Sequence, residues 1–71
     1  MKPLPYREVK RKLEAAGFTQ VSQKGSHVKF VKKIEEETLT ATVPYHREVS
    51  AGTLRSILRQ ANLTLEVFEE L

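Results

Sequence analysis

Seventy-one residues, thirty-nine per cent apolar and thirty per cent charged, specify one small α+β-sized domain, residues 1–71, with too little chain to enclose a deep pocket; chemistry here belongs on a surface and favours a large substrate. The absence of cysteine excludes a disulfide framework, a thiolate nucleophile and a cysteine-based zinc site, and no apolar run reaches membrane-spanning length or makes a signal peptide of Met1–Pro5, so a cytoplasmic protein without membrane contact is expected. The net charge of +3 is unevenly spread: residues 1–33 carry nine Lys/Arg against two Glu, a net +7, and residues 34–71 carry three Arg against seven Glu, a net −4.

Tyr6, Val9, Leu13 and Ala16 recur at helical spacing after Pro5, while Arg7, Lys10, Arg11 and Glu14 fall largely on the other face. With Gly17 as a stop, this predicts a first helix over Pro5–Ala16. Phe18–Lys24 reads as a strand of weak alternation, bounded by Gly17 and Gly25. Lys24-Gly25-Ser26 reads as a tight turn, in which glycine supplies a positive φ. From His27 to Lys33 the alternation puts Val28 and Phe30 on one face, with His27 and Lys29 on the other. Glu35-Glu36-Glu37 is a charged connection, and Thr38–Val43 is the clearest strand, its Leu39, Ala41 and Val43 alternating with threonines.

Pro44 ends that strand and opens a loop through Tyr45, His46, Arg47 and Glu48 to Val49. Ser50 suits the cap of a second helix with an apolar stripe of Leu54, Ile57, Leu58 and Ala61, and Asn62 tolerates the left-handed conformation at its end. Thr64 suits the cap of a short last helix, with Val67, Phe68 and Leu71 expected to face inward. The order α-β-β-β-α with a short C-terminal helix predicts a three-stranded antiparallel sheet covered by helices on one face. His27 must then point outward, beside a lysine.

Histidine is the one side chain whose ordinary pKa, about 6.5, lets it exchange protons freely near neutrality. His27 has the chemistry to take a proton from a ribose 2′-hydroxyl, and Lys24 and Lys29 to hold the adjacent phosphate. Gly25 lets a phosphate approach the backbone, and Ser26 offers a hydroxyl and an amide. A basic front half suits a polyanion such as RNA, and equally a plain solvated face or an acidic protein partner. His46 is the other histidine: a second proton carrier, a substrate contact or, the reading preferred here, a loop-packing residue. With Glu48 as its only nearby companion it makes no convincing metal site, so neither metal nor cofactor is expected. Tyr6 and Tyr45 are too far apart in the sequence to argue a base-stacking pair.

Gly17-Phe18, then Gln23-Lys24-Gly25-Ser26-His27, then Val43-Pro44-Tyr45-His46, then the run Gly52–Ala61 and finally Phe68 follow one another in an order and spacing that resemble the HicA family of mRNA interferase toxins over nearly the whole chain. The resemblance implies a fold like that of double-stranded-RNA-binding domains. It also implies cleavage of mRNA without a translating ribosome, and an essential histidine in the Gly-Ser-His motif, here His27. It further implies a HicB-like antitoxin that covers the histidine. The free toxin is expected to be monomeric. One departure stands out: an arginine commonly precedes the Gln-Lys-Gly run, and Ser22 occupies that place. The expected function is a metal-independent endoribonuclease toxin, the alternative a non-catalytic RNA-binding module of the same fold.

Overall fold

In the computed structural model, which describes residues 1–71, the chain runs β1 (Leu4–Pro5), α1 (Tyr6–Ala15), β2 (Thr19–Lys24), β3 (His27–Ile34), β4 (Glu37–Pro44), β5 (Glu48–Val49), α2 (Ala51–Ala61) and α3 (Leu65–Glu69). Pro5 has no N–H to leave unsatisfied and stands at the entrance of α1 in an extended conformation, so the helix proper begins one residue later than expected. The two long helices end alike. After α1, Gly17 takes a φ of +99° and the Phe18 N–H reaches back to the Leu13 carbonyl at 2.9 Å. After α2, Asn62 takes a φ of +57° and the Leu63 N–H reaches the Leu58 carbonyl at 2.9 Å. Each satisfies carbonyls that a helix end would otherwise leave bare, and each turns an apolar residue back against the last turn. At the other ends, the Ser50 hydroxyl accepts the Thr53 N–H and the Thr64 hydroxyl accepts the Val67 N–H, as the capping reading requires.

β2, β3 and β4 form an antiparallel sheet in that order, so the fold is α+β with the α-β-β-β-α order and a short C-terminal helix. Val28 and Phe30 of β3 and Ala41 and Val43 of β4 lie beneath Leu54, Ile57, Leu58 and Ala61 of α2, Val9 and Leu13 of α1, and Phe68 of α3. These belong to a buried core of thirteen residues, every one apolar. By the alternation of β3, the outward face of the sheet holds His27 and Lys29. β2 is exposed along its whole length, because the helices cover β3 and β4 and stop short of it. Its register slips between Gln20 and Ser22, a bulge at Val21 that accounts for the weak alternation of this segment.

Two features depart from expectation. The loop Pro44–Val49 contains a strand: β5 pairs with β1 through Leu4↔Val49 and Pro5↔Glu48, drawing the N-terminus onto the far end of the loop. In α3, Val67 does not face inward. It is 47% exposed, while its neighbour Phe68 is fully buried and Leu71 packs partly against the core. Adjacent helical residues diverge by about 100°, so the larger ring takes the core, and Leu71, three residues on, shares its side.

Candidate active site

The Gly25-Ser26 turn is a two-residue hairpin joining β2 to β3, with Lys24 and His27 as the closing pair. Gly25 has a φ of +57°, at the first central position of the turn, a backbone conformation that glycine adopts without steric cost. The Gln23 side-chain amide donates to the Gly25 carbonyl at 3.0 Å, bracing the turn from within. The register then sets the site. Lys24 faces His27 and Ser22 faces Lys29 across β2–β3, while His27 faces Pro44 and Lys29 faces Thr42 across β3–β4. Because side chains alternate, Ser22, Lys24, His27, Lys29 and Thr42 all rise from the outward face and line one shallow depression of about 280 Å³. His27, Lys24 and Lys29 are exposed, and neither lysine is in an ion pair. The only ion pair in the protein is Arg11–Glu8 on α1, which holds the Glu8 carboxyl below its ordinary range. A phosphate entering the depression therefore meets cations that need no prior partner removed.

Ser22, singled out in the sequence because an arginine commonly stands there, contributes a wall of this same depression. Thr42 lines it too and was not singled out; its signal was the alternation of β4, which puts its threonines on the outward side. Ser26 lies at the turn and uses its carbonyl to accept the Tyr45 N–H at 2.6 Å.

His46 is elsewhere. It is exposed and lines a separate cleft with Pro5, Tyr6, Arg7, Tyr45 and Arg47, which corrects the expectation that it packs the loop. Tyr6 and Tyr45, distant in sequence, are in contact with ring centroids 4.7 Å apart and planes at 85°. Partial burial, then the neighbouring Tyr45 and Glu14, push the Tyr6 phenol above its ordinary pKa. No third His, Asp or Glu joins His46 and Glu48 to make a cluster of metal-ligating side chains. No helix is long and apolar enough to cross a membrane.

No curated protein matches this chain significantly. The family model describing the HicA toxin of bacterial toxin–antitoxin systems matches residues 6–63, a stretch that runs from the start of α1 past the end of α2 and contains the His27 depression and all of the Tyr6–Tyr45 cleft except Pro5. With that span matched, on the α-β-β-β-α order described above, the chain belongs to the HicA family of toxins.

Proposed function

We propose that this toxin is an endoribonuclease that cleaves mRNA without a metal ion, with His27 as its general acid–base group. The observation that carries the reading is the outward-facing His27 set between two unpaired lysines in one depression. The His27 imidazole takes the proton of a ribose 2′-hydroxyl, and the freed oxygen attacks the adjacent phosphorus. The bond from phosphorus to the 5′-oxygen breaks, leaving a 2′,3′-cyclic phosphate on one fragment and a 5′-hydroxyl on the other. Lys24 and Lys29 hold the phosphate and offset the charge that builds on its oxygens. The leaving oxygen draws its proton from solvent or an adjacent ammonium, since the depression holds no second imidazole. Gly25 supports this by keeping the turn low, with open space where a side chain would stand.

The toxin's partner is an antitoxin of HicB type that covers His27, and the free toxin acts in the cytoplasm as a monomer. A protein surface that seals the depression has only a shallow opening to fill, and carboxylates on it would pair with Lys24 and Lys29. Induced expression tests the reading. Wild-type protein is expected to arrest growth and fragment cellular mRNA, and co-expressed antitoxin to relieve both. His27→Ala is expected to do neither while remaining folded. An RNA-binding module without catalysis would give the opposite pattern: RNA retained by the purified protein, no fragments, and no difference between wild type and His27→Ala.

A further inference from the structure

The Tyr6–Tyr45 cleft is not explained by the chemistry at His27. Its walls are Pro5, Tyr6, Arg7, Tyr45, His46 and Arg47, enclosing about 350 Å³. Three elements build it. The β1–β5 pair fixes Pro5 against Glu48, which brings the first turn of α1 up to the loop after β4. The Tyr45 N–H, bonded to the Ser26 carbonyl, ties that loop to the turn preceding His27. Tyr6 braces Tyr45 edge-on, yet Tyr45 stays 57% exposed. An aromatic ring so held, and so open, presents a fixed apolar face to solvent without contributing to the core. Arg7 and Arg47 flank it, both exposed and neither in an ion pair.

The cleft also adjoins the candidate active site. Pro44 is the cross-strand partner of His27, and Tyr45 follows it directly. The Tyr45 and His27 backbones therefore lie within about 10 Å of each other, adding one residue step to one strand spacing. A rigid aromatic face between guanidinium groups is what an unpaired base and its phosphates require: the base stacks, the cations neutralise, and neither contact demands a particular sequence.

We propose that this cleft is a second subsite for single-stranded RNA, in which a base flanking the scissile phosphate stacks on Tyr45, Arg7 and Arg47 hold its phosphates, and His46 hydrogen-bonds to the nucleotide. The identity of the ligand as RNA rests on the endoribonuclease reading; the existence of the subsite rests on the cleft. His46 serves here in binding, which removes it from the list of proton carriers.

The test separates the two readings by measuring binding without cleavage. A 2′-O-methyl oligoribonucleotide of about six residues lacks the nucleophile and is titrated against the intact protein by fluorescence anisotropy. Tyr45→Ala is expected to weaken binding about tenfold, and Tyr45→Phe, which keeps the ring, to stay within about twofold of wild type. Arg47→Gln is expected to weaken binding and to make the salt dependence shallower by about one released ion. Thermal melting of each variant checks the fold. Wild-type affinity in a folded Tyr45→Ala protein would overturn the subsite, and so would loss of affinity in Tyr45→Phe equal to that in Tyr45→Ala. Cleavage of ordinary RNA is then read on the same proteins. Tyr45-dependent binding without cleavage sustains the subsite and overturns the catalytic reading. Cleavage with unchanged Kd and KM in Tyr45→Ala does the reverse, and failure of wild type to bind RNA overturns both.

Discussion

Glu35 and Gly25 hold comparable backbone conformations at the two hairpin turns, with φ of +55° and +57°, but only one is a glycine. A side chain in the left-handed region costs roughly 1–2 kcal/mol, so Glu35→Gly is expected to stabilise the protein by up to about 1 kcal/mol, some of the gain being returned through the freer unfolded chain. Urea denaturation reads this as a higher midpoint at unchanged slope. The converse change, Gly25→Ala, meets no atom within 4 Å and is expected to cost only the backbone strain, about 1 kcal/mol. Ser22 offers a test of the site's charge. Ser22→Arg adds a third cation to a depression already lined by Lys24 and Lys29, and is expected to tighten RNA binding several-fold at low salt, with the gain fading as salt rises. His27 was legible at this scale because strand alternation fixes direction, and Val28 and Phe30 leave only one face for it. The Tyr6–Tyr45 contact was not: nothing local to either tyrosine records that β1 and β5 pair, and that pairing spans two residues on each side.

Lys12, on the last turn of α1, reaches the carbonyls at the end of α3. Its ammonium donates to the Phe68 oxygen at 3.0 Å and the Leu71 oxygen at 3.1 Å, and lies 5.2 Å from the centroid of the Phe68 ring. A cation at a helix C-terminus satisfies bare carbonyls and the helix dipole together. Lys12→Met keeps the apolar stem and removes the charge. It is expected to lower stability by about 1–2 kcal/mol, with fraying confined to α3 in hydrogen exchange. No periodicity predicts this contact, because it joins the polar stripe of one helix to the end of another. A helix stripe states which residues must be covered, and the stripe of α2 matched the core residue for residue. What covers an edge or an end is a matter of side-chain reach. Gln60 shows the same point, its side-chain oxygen accepting the Thr42 N–H at 3.0 Å on the free edge of β4.

Across the whole molecule, charge follows the layers only in part. The sheet turns Lys24, His27 and Lys29 away from the helices, while Glu66 and Glu69 belong to α3, Glu70 caps it, and Glu35, Glu36 and Glu37 belong to the far hairpin. The basic half of the sequence is divided between two places: Lys24 and Lys29 stand on the sheet, while Arg7, Lys10, Arg11 and Lys12 stand on α1, where Arg11 and Lys12 reach the Leu71 oxygen beyond α3. The order of elements was legible from patterning where a regular face is buried, as in both long helices, β3 and β4; β2, exposed throughout, was legible only from the glycines that bound it. Partner and catalysis were not, since an exposed histidine beside lysines has the same pattern whether or not it moves a proton. The measurement that decides is cleavage of a defined RNA by purified wild-type and His27→Ala protein in the presence of a chelator. The account predicts fragments ending in 2′,3′-cyclic phosphate with wild type, and with His27→Ala a rate lower by about 10²–10⁴. Equal cleavage by the two proteins, or none by either, would contradict it.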